Sequence, residues 1–429
     1  MAKQYGLSSI DILAKKAREI FAIYFIVIFI SVLGEVLDVK VLESVTPEIA
    51  AIPINVTSVR LGIQVTVVIF SAYFFLKYLL EIFRISPEEV MKTLGYTDEI
   101  VKFIRKGELQ IASIKLSKGL SLIRGCIMDL SLRDDLERVV STFTDVIKRI
   151  PSEGEKGKDE KKKNDINTLV LNLHLRIDES IFDPLLKTDL KPDVRIFSQL
   201  FENFAKVYID SGLLNSSLFD EYLDRISKVT IDYVNSGKRE ALNSFFFSVL
   251  WMFDKSPDKI TDMNVSKVLS KGIVLSASLI KLLERKLEKT DDIEYVLFVT
   301  SSYIRDWLCK YPGTLAGLDV DDLVYLVEKG GKLFIGNIVI ALFCVENELE
   351  RIKETKPGFI YRWTAVKFEK VKLKVKEILL TNGWRIFVEN SSLNVLDIND
   401  KTIGAIKIEN ILSPNGVGSL RLFIQRYLT

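Results

Sequence analysis

The chain is predicted to be mainly α-helical: a two-span N-terminal transmembrane hairpin, a cytoplasmic helical array or bundle, and a small C-terminal α/β module. Three observations predict this. Two long apolar runs lie near the N-terminus, apolar residues recur at helical spacing through the middle, and three short strand-like runs separated by turn residues occupy the end. The corresponding segments are residues 1–85 (anchor), 86–150 (membrane-proximal helical unit), 151–167 (charged flexible linker), 168–355 (array or bundle) and 356–429 (α/β module).

The first apolar run covers residues 20–37, with Glu35 at its end. A helix of about 20 residues crosses the hydrocarbon core. The second covers residues 61–80, where Lys77 is near enough to an end to extend its ammonium to the headgroups. No small-residue cleavage site follows the first run, so it is an anchor rather than a removed leader. Lys3, Lys15, Lys16 and Arg18 precede it, and Arg84, Lys92, Lys102, Arg105 and Lys106 follow the second, whereas the connecting loop carries Glu35, Asp38, Glu43 and Glu48. The positive flanks place both termini in the cytoplasm, with most of the chain there. Asn55-Val56-Thr57 in the outer loop is a candidate glycosylation site at Asn55. Gln64 and Thr66 are polar residues within the second span, and they fit a bond to a partner helix better than a transport path, so a transporter or channel subunit is the third reading.

Composition narrows the chemistry. With 59 basic and 57 acidic residues the net charge is +2, so no global field draws in nucleic acid. Cys126, Cys309 and Cys344 are widely separated and form no CxxC pair, which argues against a thiolate zinc site or a disulfide framework and for a reducing compartment. His174 is the only histidine, which argues against triads, HExxH zinc sites and histidine relays. No GxxxxGK[ST] loop is present. The wealth of Lys, Glu and Ile with little His or Gln is thermophile-like.

Along the body, Ser86-Pro87-Glu88-Glu89 is a helix start and Gly107 a C-cap. Leu136, Val139, Val140, Phe143, Val146, Ile147 and Ile150 form one helical face, closed by Pro151. The stretch from Ser152 to Asn164 has no apolar residue and is expected to be a mobile loop. Helices are then predicted over 194–209, 218–234 and 240–253, two more ending at Gly272 and Lys289, then 293–310, a short one before Gly330-Gly331, and 333–352. The run from Leu333 to Val345 contains Asn337, is too short to span a bilayer, and is expected to be a core helix. Phe245-Phe246-Phe247 with Trp251, and Tyr303 with Trp307, are core aromatics or interface anchors.

After Pro357, Val366, Val371, Val375, Ile378 and Leu379 mark a helix stopped by Asn382-Gly383. Strands are expected over 384–389, 393–398 and 402–411, a turn at Pro414-Asn415-Gly416, and a last helix or strand over 420–428. This order, with acids on successive strands, resembles the core of the restriction-endonuclease-like, PD-(D/E)XK, nuclease family over the C-terminal ~65 residues. The resemblance implies Asp397 and Glu409 as metal-binding acids, Glu369 as an acid on the preceding helix, and Mg or Mn as cofactor, with Lys407, two residues before Glu409 on the same strand face, as the one substitute at hand for the family's lysine. Glu409-Asn410-Ile411 departs from the family's E-x-K, which implies a fold kept for binding rather than cleavage.

The sequence therefore predicts a non-enzymatic scaffold without a cofactor, its partners being the lipid bilayer and another protein, with an oligomer possible. The alternative is a membrane-tethered nucleic-acid-binding or nuclease-like protein acting through its C-terminal module.

Overall fold

The computed structural model describes residues 96–129, 132–150, 160–285, 290–353 and 358–428. Both apolar runs, Asn55 and the Ser86 helix start lie outside the described residues, as does the first part of the charged stretch. Among the described residues no helix is long and apolar enough to cross a membrane. The chain is mainly helical with one small sheet, and its contacts divide it into two compact units.

One unit contains Gln110–Phe143 and the residues up to Phe103. Its helices come from α1 (Tyr96–Lys106), α2 (Leu109–Met128) and α3 (Arg133–Ile147). Gly107 takes φ +76° and its N–H bonds Ile104 O at 3.1 Å, so it is the C-cap expected of it. Leu116, Leu120, Ile123, Val139, Val140 and Phe143 are buried. Burial, with Asp135 and Asp129 adding to it, pushes the Cys126 thiol up to about 12, so this thiol is inert at neutral pH.

The other unit holds Ile104–Leu109 and Thr144–Thr429. Its helices are α4 (Glu160–Ile177), α5 (Asp183–Lys187), α6 (Val194–Asp210), α7 (Ser217–Asn235), α8 (Glu240–Lys255), α9 (Asp262–Arg285), α10 (Thr290–Lys310), α11 (Val320–Lys329), α12 (Lys332–Lys353), α13 (Phe359–Thr381) and α14 (Pro414–Tyr427). The sheet is an antiparallel meander of β1 (Arg385–Glu389), β2 (Ser392–Leu396) and β3 (Thr402–Lys407).

Several expectations need correcting. Helix α4 begins at Glu160 and buries Ile166, so residues 160–167 are helix rather than linker. The helix was hidden because its first turn, Glu160-Lys161-Lys162-Lys163, carries no apolar residue to mark it. Helix α9 runs straight through Gly272, which does not end a helix. A Cβ there would lie 2.2 Å from Phe246 Cε1, so the glycine makes room for that ring. Pro414-Asn415-Gly416 opens α14 rather than forming a turn: Ser413 is the N-cap and accepts from Gly416 N at 3.3 Å. Strand β3 stops at Lys407, short of Ile411. The helical array and the C-terminal module lie in one unit, and the sheet rests on α12. A Cβ at Gly336 of α12 would meet Ile406 Cδ1 at 2.6 Å, so a larger residue there would displace the end of that side chain where β3 packs on the helix.

Helix α12 is the core helix the sequence predicted, with Ile335, Ile338, Val339, Ile340 and Phe343 buried. Its Asn337 is satisfied internally, donating to Ser301 Oγ at 2.9 Å and accepting from Arg305 Nη1 at 2.7 Å. Helix α12 packs closely on α10, and Cys309 and Cys344 are joined by a disulfide between them, Cα atoms 4.9 Å apart. This corrects the expectation of reduced cysteines. A sequence separation of 35 gave no local sign of the pairing, which the packing of two helices creates.

Helix ends follow local chemistry. Asp319 caps α11, accepting from Asp321 N (3.1 Å) and Asp322 N (3.2 Å). Asp319→Ala is expected to destabilise the fold by about 1 kcal/mol, read as a lower urea midpoint with unchanged slope. Asn390 (φ 47°) and Ser391 (φ 56°) turn β1 into β2 with the two positive φ values of a type I′ hairpin.

Candidate interaction surfaces

The four residues implied by the nuclease resemblance are dispersed. Asp397 sits in the turn between β2 and β3, where its Oδ1 accepts from Asn399 N and Lys401 N, both at 2.9 Å. Glu409 lies beyond the far end of β3 and is exposed. Six residues of strand separate them, about 20 Å. Lys407 ends β3, paired in register with Ser392. Glu369 is on the surface of α13 and accepts from Lys372 Nζ at 2.6 Å. The fold thus does not bring Asp397 and Glu409 together, and among the described residues no group of three His, Cys, Asp or Glu could hold a metal ion. Asp397 shapes a turn, which is a sufficient reason for an aspartate there.

His174 is buried. It bonds the Tyr208 hydroxyl through Nδ1 (2.5 Å) and the Glu221 carboxylate through Nε2 (3.3 Å). A carboxylate only accepts, so Nε2 donates to Glu221, and in a neutral imidazole Nδ1 then accepts from the tyrosine hydroxyl. Burial drives the Tyr208 phenol far above its ordinary range, with Asp178 and Glu221 adding to the shift. This hydrogen-bonded chain ties α4, α6 and α7 together.

Two surfaces present large apolar side chains. On α8 the aromatic run is divided. Phe245 and Phe246 are buried, and Phe246 stacks on Tyr303 with ring centroids 4.7 Å apart. Phe247 and Trp251 point outward, 41% and 38% exposed, stacked on each other at 5.5 Å and 15°. Lys255 lies 4.3 Å over the Trp251 ring, a favourable cation–π position. Asp254 pairs with Lys310, next to Trp307, which is buried. Burial pushes the Tyr303 phenol up to about 12.

The second surface is on α13. The sequence placed Val366 with Val371 and Val375, but it is 62% exposed, while Thr364, Phe368, Val371, Val375 and Leu379 are buried. Five residues of helix turn through about 140°, which takes Val366 off the buried face. Trp363 (47%), Leu373 (62%) and Leu380 (67%) are exposed with it. At one end of this stripe a cleft of about 490 Å³ opens between α9, α11 and α13, lined by Asp319, Asp321, Trp363, Val366, Lys367 and Lys370 among others. Lys367 donates to Leu318 O at 2.5 Å, and Lys370 pairs with Asp321. Burial lowers the Lys367 ammonium below the ordinary lysine range, opposed by Asp319.

No protein-family model and no curated protein matches the chain. Among solved structures it is similar to a circular tandem repeat protein with novel repeat topology and enhanced subunit contact surfaces. That likeness is 16% identity over 69% of this chain and 79% of the other, with a TM-score of 0.31, too low to show a common fold.

Proposed function

We propose that this chain is a membrane-anchored, non-enzymatic scaffold that holds a protein partner on its helical body. The observation that carries the partner half is the outward stack of Phe247 and Trp251 on α8. Interface hot spots are enriched in aromatic residues, tryptophan above all, and Lys255 beside the ring supplies a polar rim. The membrane half rests on the apolar runs at 20–37 and 61–80 and on the basic residues flanking them.

A photo-reactive amino acid at Trp251, in the full chain in intact membranes, tests the first half. One discrete protein adduct is expected, weakened at least about 10-fold when Phe247→Ala is added, with the melting temperature of the purified chain unchanged. Adducts no different from those at an exposed control position, or labelled lipid alone, would remove α8 as the partner surface. For the second half, alkaline carbonate should leave the chain in the membrane pellet. Its release would sink the anchor.

A further inference from the structure

Helix α13 has a second regularity on its exposed side. Its exposed residues include Trp363, Val366, Lys370, Leu373, Glu377 and Leu380, separated alternately by three and four positions. That is the 3.5-residue repeat of a coiled-coil seam, and the buried face beneath, at Thr364, Phe368, Val371, Val375 and Ile378, keeps the same spacing against its own neighbours. The seam runs for about 25 Å at 1.5 Å per residue. Val366, Leu373 and Leu380 supply one apolar position in each heptad, and Trp363, Lys370 and Glu377 the other.

We infer that this seam is covered by α13 of a second copy of the chain, the two helices antiparallel about a two-fold axis at Leu373. The charges select the partner and its direction. Parallel copies would set Lys370 against Lys370 and Glu377 against Glu377, like charges in a closing interface. Antiparallel copies centred on Leu373 set Lys370 beside Glu377 of the second copy, twice, by symmetry. On the flank, Glu369 then faces Lys376. Val366 meets Leu380, and the cleft beside Trp363 and Val366 receives the second copy's Leu380 end. Polar residues at seam positions set register and direction in this way. Within one chain Lys370 pairs with Asp321, Glu369 with Lys372 and Glu377 with Lys374. These are surface pairs of small net worth, free to exchange partners as the seam closes. Lys374, which would approach its own twin near the axis, is also neutralised by Glu328.

The inference does not depend on the partner proposed for α8. It is tested on the full chain in detergent, by mass across a range of protein concentrations. A dimer is expected, and Leu373→Asp should raise its dissociation constant at least about 100-fold, because each copy would bury an unpaired carboxylate at the axis. The residue is exposed, so the variant should melt as the parent does. Lys370→Glu and Glu377→Lys should each weaken the dimer, and the double exchange should restore it. Oxidative cross-linking reads the direction: Leu373→Cys should link to itself, whereas Val366→Cys should link to Leu380→Cys and not to itself. A monomer at every concentration, a dimer indifferent to Leu373→Asp, or self-linking at 366 would each overturn the proposal.

Discussion

Replacing Phe246 with alanine is expected to cost about 3–5 kcal/mol, among the largest single losses in the helical body. The ring is fully buried on α8, stacks on Tyr303 and meets Phe245 edge-on at 5.4 Å. It also rests over Gly272 of α9, where an added Cβ would fall 2.2 Å from the ring edge. Gly272→Ala alone should therefore destabilise by overpacking, by about 1–3 kcal/mol. With Phe246 already removed, the same methyl enters the vacated space and its cost should vanish or reverse. The two changes are thus predicted to couple by at least about 1 kcal/mol in a double-mutant cycle on denaturant unfolding. Additivity within about 0.5 kcal/mol would show that ring and glycine do not meet as described.

Removing the Cys309–Cys344 bridge is expected to cost about 3–4 kcal/mol, the chain-entropy value for a closed loop of this length. The bridge joins α10 to α12, whose close packing forms much of the core of this unit. Changing both cysteines to serine avoids leaving one reactive thiol. The loss should appear as a lower denaturant midpoint, and a reductant should lower the parent to the same value while leaving the variant unmoved. A reductant without effect on the parent would mean that the two sulfurs are not bonded in solution. The remaining thiol, Cys126, is raised to about 12 by burial and should not confuse the readout.

The corrections have a shared cause. Apolar periodicity located α6, α7, α8, α10 and α12 to within a few residues, because each presents a continuous face to the core. It failed where a residue's reason lies on another element. Gly272 looked like a stop but is a clearance for Phe246, and Gly336 is a clearance for the sheet. Pro414 follows a serine that caps a helix, and the same Ser-Pro-Asn-Gly letters also suit a turn. Val366 was grouped with the inner face of α13 because apolar character alone does not say which of two stripes a residue joins.

The candidate surfaces divide in the same way. The letters Phe-Phe-Phe and Trp251 announced an aromatic cluster, but only the packing of α8 separated Phe245 and Phe246, which are core, from Phe247 and Trp251, which face solvent. The heptad on α13 is present in the sequence at 363, 366, 370, 373, 377 and 380, yet it becomes informative only once the other face is known to be buried. Acids at 397 and 409 suggested a shared site, which antiparallel pairing undoes by placing them at opposite ends of β3.

The sequence by itself determined the helical character of the body, the Gly107 cap and the turn residues between the strands. These depend on interactions within a few residues. Tertiary structure alone decided the Cys309–Cys344 bond, the Tyr208–His174–Glu221 chain, the glycine clearances and which apolar side chains remain outside. Those depend on residues 34 to 47 positions apart, or on separate helices, whose proximity is set by close packing of the whole core rather than by local preference.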